Sequence, residues 1–76
     1  MSASRSDIYK KIGRRIRYYR KEKGFTQEVL ADKAGISLSY ISKIEAENCD
    51  KAFSLDVLFI ISETLDIPIS KFFEQL

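Results

Sequence analysis

One stretch, TQEVLADKAGISLSYISKIE (Thr26–Glu45), limits the fold more than any other. Counting from Gln27 as the first of 19 residues, the fifth is Ala31, the ninth Gly35, the fifteenth Ile41 and the eighteenth Ile44. The fourth, eighth and tenth are Leu30, Ala34 and Ile36, all apolar. Two short helices that cross at a sharp turn need these residue types at these offsets. Ala31 must be small because the second helix passes over it. Gly35 can take the positive φ that bends the chain, a conformation other L-residues resist. Ile41 and Ile44 pin the second helix onto the first and onto the core. Thr26 is a good cap for the first helix, which runs to Ala34, and Glu28 lies in its first turn where the dipole favours an acid. Ser37 caps the second, which the pattern carries to about Glu47.

Helical spacing continues on both sides, and no run of period two bounded by turn residues suggests a strand. A first helix is expected from Asp7 to Lys23, capped by Ser6 or Asp7 and ended by Gly24, with Ile12, Ile16 and Tyr19 as its apolar stripe. Gly13 costs about 1 kcal/mol relative to alanine inside a helix, and its use there points to another backbone packing closely. A fourth helix is expected from Ser54, as cap, to Leu65, with Leu55, Leu58, Ile61 and Leu65 on one face. Pro68 stops it. Ser70 can cap a last short helix, Lys71–Leu76, with Phe72, Phe73 and Leu76 apolar. The fold class is therefore all-α, with five short helices in residues 7–76 behind a flexible leader, residues 1–6.

A chain of 76 residues is one domain at most and buries only about 60% of its unfolded surface. With one cysteine and no histidine, neither an internal disulfide nor a Cys/His zinc site is available. No long apolar run or signal-like start appears, so a cytoplasmic protein without membrane contact is expected. Enzyme chemistry is not expected either, because no phosphate loop, metal set or activated nucleophile is visible, and no cofactor or small-molecule ligand is called for. The net charge of +2 is strongly polarised. Met1–Lys23 carries nine Lys/Arg against two acids, Gly24–Glu45 two against three, and Ala46–Leu76 two against six. A basic patch of this kind suggests a polyanion as partner, with a plain solvated helix face as the alternative.

The segments IGRRIRYYRKEKGF, TQEVLADKAGISLSYISKIE and SLDVLFIISETLDIPISKFF together resemble the DNA-binding domain of the lambda repressor and Cro type, the XRE-type helix-turn-helix family. The resemblance covers roughly Ile12 to Phe73. It implies a compact five-helix, lambda-repressor-like DNA-binding domain of the kind found in phage repressors, restriction–modification controller proteins and antitoxin subunits.

The resemblance also implies roles by position. Ser37, Leu38, Ser39 and Lys43 match the family's base-facing residues, on the helix that enters the major groove. Serine reads bases weakly, Leu38 would meet a thymine methyl or else fold back onto the core, and Lys43 reaches a guanine edge or a phosphate. Gln27 matches a phosphate-contacting glutamine, against the plainer reading of an exposed helix-start residue. Tyr40 either sets its hydroxyl on a phosphate or only packs at the helix edge. Arg20 and Glu45 match an ion pair that is buried in some relatives. Lys10, Lys11 and Arg14, near the start of the first helix, are the better phosphate candidates among its basic residues, and Arg5 could act as an arm.

The loop EAENCDKAF departs from the family's frequent Arg-Gly, bringing Glu45, Glu47 and Asp50 near the passing backbone and leaving Asn48 and Lys51 as its phosphate contacts. Cys49 reads as an ordinary loop thiol. Val57, Phe59, Ile60, Phe72, Phe73 and Leu76 exceed what one small core absorbs, so a two-fold homodimer interface is expected there. These expectations combine into a homodimeric, sequence-specific regulator of transcription on a pseudo-palindromic operator, acting on double-stranded DNA, with RNA polymerase as a further candidate partner. The alternative is an antitoxin-type module that grips a partner protein through its C-terminal apolar surface.

Overall fold

The computed structural model describes residues 4–47 and 53–74. Among them the chain forms four α-helices and one 3₁₀ turn, with no strand. The helices are α1 (Arg5–Glu22), α2 (Gln27–Ala34), α3 (Leu38–Glu45) and α4 (Leu55–Thr64), and the turn is Ile69–Phe72.

Each α-helix starts at a side chain that accepts from an otherwise orphaned backbone N–H. Thr26, Ser37 and Ser54 cap α2, α3 and α4 by accepting from Val29, Tyr40 and Val57. At α1 the cap is Ser4 rather than Ser6 or Asp7. Its hydroxyl accepts from the Asp7 N–H while the Asp7 carboxylate accepts from the Ser4 N–H, a capping box. A reciprocal pair satisfies two donors, so the helix begins at Arg5 and takes in the last two residues of the expected leader.

Three helices end in the same way. Gly24, Gly35 and Asp66 sit at φ 78°, 70° and 58°, in the left-handed region. In each case the next residue's N–H donates back across the last turn, Phe25 to Arg20, Ile36 to Ala31 and Ile67 to Ser62. The stop of α4 is therefore made by Asp66, before Pro68 is reached. Pro68 instead opens the 3₁₀ turn, where Lys71 N–H donates to Pro68 and Phe73 N–H to Ser70. The expected helix Lys71–Leu76 under a Ser70 cap is thus a shorter 3₁₀ turn set two residues earlier, and it has no side-chain cap.

The core is one cluster drawn from every element: Ile12, Ile16, Leu30, Ala31, Ile41, Ile44, Phe53, Leu58, Ile61, Leu65 and Phe72. Phe72 is completely buried, which corrects its assignment to a dimer surface. Its ring fills the protomer's own core beside Tyr19, with centroids 6.3 Å apart. Leu55 errs the other way. It belongs by periodicity to the buried face of α4 but is 65% exposed.

Gly13 sets a close approach between α1 and α3. A Cβ at this position would overlap the Ile44 carbonyl oxygen, with the Ile44 carbonyl carbon 3.3 Å and the Glu45 Cα 3.8 Å away. The missing side chain lets α1 lie directly on the backbone of α3. No helix among the described residues is long and apolar enough to cross a membrane.

Candidate nucleic-acid interface

The left-handed turn at Gly35 aims α3 across α2, and Ile41 and Ile44 hold its inner face in the core. Its other face is open. Ser37, Leu38, Ser39, Tyr40 and Lys43 are all exposed, so the turn presents the neutral end of α3 and one lysine to solvent together. Leu38 is 44% exposed, so it lies on the surface and not in the core. Ser37 accepts the cap bond at 3.1 Å from the Tyr40 nitrogen, which leaves its hydroxyl hydrogen and one lone pair to offer outward.

A polar network locks this face to the rest of the domain. Arg20 and Glu45 make a bidentate pair, Nε–Oε2 2.8 Å and Nη2–Oε1 2.9 Å. The remaining Nη1 donates to the Phe25 carbonyl at 2.7 Å. The two side chains are 8% and 2% exposed. The arginine therefore belongs to the scaffold and adds nothing to the charge facing outward. The Gln27 amide extends the network. Its nitrogen donates to Glu45 Oε1 at 3.1 Å, and its oxygen accepts from the Ser42 hydroxyl at 2.9 Å. Gln27 is thus a bridge between the start of α2 and the middle of α3, with a second amide hydrogen still to donate. Ser42 was not singled out by the sequence pattern. Its i, i+3 relation to Ser39 hints at the outer face, but nothing local signals its partner, 15 residues earlier.

The basic residues of α1 divide by azimuth. Lys10, Arg14, Arg17 and Lys21 recur at i, i+4, i+7 and i+11, one stripe beside the Gly13–Arg20 line that packs on α3. Lys11 lies off this stripe. Arg14 is occupied by Glu47, with Nε–Oε2 3.1 Å and Nη2–Oε2 2.9 Å. Hydrogen bonding to Arg14, then its charge, holds the Glu47 carboxyl below the usual carboxylate range, and Arg17 and Lys10 act in the same direction. The same contact raises Arg14 above the ordinary guanidinium value. Asn48 and Lys51 lie outside the described residues, as do Cys49 and Asp50. Arg5 opens α1, one residue after the Ser4 cap.

A second surface lies away from α3. Leu55, Phe59 and Phe73 are 65%, 50% and 38% exposed. Leu55 is shared by two shallow apolar grooves, one toward Tyr9, Phe53 and Phe73, the other toward Phe59 and Ile69. Of the residues expected at a dimer interface, Phe59 and Phe73 are open, Val57 and Ile60 half-buried, and Leu76 lies outside the described residues. Leu55 joins this surface unexpectedly. Among the described residues no cluster of acidic or thiol side chains could hold a metal.

Comparison with known proteins agrees with this architecture. The family model described as helix-turn-helix matches residues 16–72. The HTH-type transcriptional regulator SinR of Bacillus subtilis is 41% identical over 64 residues, 84% of this chain and 57% of that protein. The crystal structure of SinR, described as a master regulator for biofilm formation, in complex with DNA superposes with a TM-score of 0.76 at 41% identity, covering 83% of this chain and 98% of that one. A SinR chain solved in complex with SinI gives 0.76 over 84% of this chain and 61% of that one. The restriction–modification controller protein C.AhdI of Aeromonas hydrophila gives 0.76 at 31% identity, covering 84% and 94%. The chain spans about half the length of the curated relatives it matches. From the turn geometry at Gly35, the spacing of its core residues and these matches together, the chain belongs to the helix-turn-helix family of the lambda repressor and Cro (XRE) type.

Proposed function

We propose that this chain is a sequence-specific DNA-binding regulator of transcription that acts as a homodimer on a pseudo-palindromic operator. One observation carries the reading. The end of α3 that follows the Gly35 turn is exposed and neutral, its helix is anchored by the buried Ile41 and Ile44, and the cationic stripe of α1 flanks the line that packs on the last residues of the same helix, Ile44 and Glu45. Base edges are read by such an end, and phosphates are gripped by the flanking cations. Ser37, Leu38, Ser39 and Lys43 are the base-facing set in this proposal. Gln27, through its second amide hydrogen, Tyr40 and Lys10 are the proposed phosphate contacts, joined by Lys11 from outside the stripe and, by their place in the sequence alone, by Asn48 and Lys51. The relatives named as transcriptional regulators support the same reading. So does the likeness to a SinR chain in complex with DNA.

A single eight-residue helix with few strong donors discriminates poorly, and two of them related by a dyad read about 10 base pairs apart along one face of the duplex. Leu55, Phe59 and Phe73 are the surface a second copy would cover, and a location in the cytoplasm, with contact to RNA polymerase, completes the proposal. The test is a gel shift against genomic fragments in excess competitor DNA, with sedimentation in parallel. A preferred fragment, a dimer at micromolar concentration, and weaker binding by a fully folded Leu38→Ala are expected. Equal retention of all fragments refutes the regulator.

The second reading, capture of a partner protein on the Leu55–Phe59–Phe73 surface, is favoured by the likeness to a SinR chain solved with SinI. It would show as dimerisation and DNA binding that survive Phe59→Lys while partner capture is lost.

A further inference from the structure

Glu47 stands where a ligand would be expected. Gly13 seats α1 on the backbone of Ile44 and Glu45, so the next residue of α1, Arg14, emerges beside the chain as it leaves α3. Glu47 lies there and turns its carboxylate onto the Arg14 guanidinium through two N–H donors, Nε and Nη2. Lys10 and Arg17, on the same stripe, lie close enough to act on that carboxylate. A carboxylate held by a guanidinium fork is the geometry of a phosphate held by the same fork. Both side chains are open to solvent, at 56% and 60%. The pair can therefore exchange with an anion from outside without unpacking the core.

We infer that Glu47 is an affinity-setting residue, whose carboxylate takes the place of a DNA phosphate on Arg14 and withholds that guanidinium from the duplex. The inference rests on the DNA-binding reading and deepens it. Binding that depends on phosphate contacts scales with the number of cations free to make them. Occupying one from within lowers affinity for every sequence alike. It leaves a larger share of recognition to the base-facing residues of α3. The cations that act on its carboxylate include Arg14, Arg17 and Lys10, all on the α1 stripe.

The experiment is binding to a short random-sequence duplex across a salt series, using Glu47→Gln, Arg14→Ala, the double variant, and Glu63→Gln as a control that removes the same charge from an exposed site on α4. Glu47→Gln should bind more tightly, with the slope of log K against log salt steeper by about 0.9, so that its advantage shrinks about 3.5-fold between about 50 and about 200 mM salt. The steepening should be absent when Arg14 is alanine and absent in Glu63→Gln. An equal gain in the Arg14→Ala background, or in Glu63→Gln, would mean a general charge effect and overturn the inference. An unchanged slope for Glu47→Gln beside normal wild-type binding overturns it while leaving the DNA-binding reading intact. No binding by any form at low salt overturns both.

Discussion

Replacing Gly13 with alanine sets two effects against each other. In an exposed helix the change is favourable by about 1 kcal/mol, because glycine is a poor helix former. Here the added Cβ would overlap the Ile44 carbonyl oxygen and crowd the Ile44 carbonyl carbon, 3.3 Å away. Both are backbone atoms inside a helix, so neither can swing aside as a side-chain tip would. Relief requires α1 and α3 to separate by a distance on the order of an ångström. That separation falls on the Arg20–Glu45 pair at 2.8 Å and on Ile16, Ile41 and Ile44, the core residues that the two helices share. Overpacking of this kind costs about 3 kcal/mol, which after the propensity gain leaves a net loss of about 2 kcal/mol. For a domain of this size that lowers Tm by about 8–16 °C. Thermal melting followed by circular dichroism measures it. A variant melting at or above the wild-type temperature would show that propensity governs this site and that α1 and α3 do not meet as closely as described.

Other substitutions probe separate features. Arg20→Met strands the Glu45 carboxylate in a nearly solvent-free site and should cost about 3–5 kcal/mol in urea unfolding, with much of the loss recovered by the double variant Arg20→Met/Glu45→Leu. If the double variant is no better than the single, the loss is one of packing and not of an unpaired charge. Asp66→Gly relieves a non-glycine residue at φ 58° and should stabilise by about 0.5–1 kcal/mol, whereas Asp66→Val should destabilise; equal Tm values for the two would contradict the left-handed stop of α4. The Asp7 carboxyl is lowered by its hydrogen bonds with Ser4, so the capping box supports α1 above the unfolded pKa of Asp7 and is lost as pH falls through the folded value. Hydrogen exchange at the Asp7 and Ile8 amides should accelerate, relative to the intrinsic rate, across that acid window. Asp7→Asn should abolish the pH dependence.

What local sequence specifies was legible. Thr26, Ser37 and Ser54 cap as their positions require, and Gly35 takes the turn that the helix-turn-helix spacing demands. The use of Gly13 also pointed to a close backbone, though not to which one. Periodicity gives an azimuth around a helix but not how far along the axis its neighbours reach. Leu55 therefore has the azimuth of the buried face yet stands exposed at the first residue of α4, and Phe72 looked like surplus surface yet fills the core. The pairing of Arg14 with Glu47 spans 33 positions, and that of Ser42 with Gln27 spans 15. Such contacts depend on where one helix crosses another, and no short-range pattern carries that information.

The length of α3 explains why so much polar structure surrounds it. A helix of eight residues is far below the length at which helices persist alone in water, so α3 exists because of its packing. Apolar packing through Ile41 and Ile44 holds the helix down but does little against rotation about its own axis, since the hydrophobic effect is not directional. Hydrogen bonds are directional. Gln27 joins Ser42 and Glu45 from α2, and Arg20 joins Glu45 from α1, so contacts from two sides fix the azimuth of α3. A rotation that changed the direction in which Leu38 and Lys43 point would break bonds to a carboxylate almost without water. On this argument the buried ion pair does more for the direction in which α3 points than for the stability of the fold, and its loss should blur sequence preference even at temperatures where the domain remains folded.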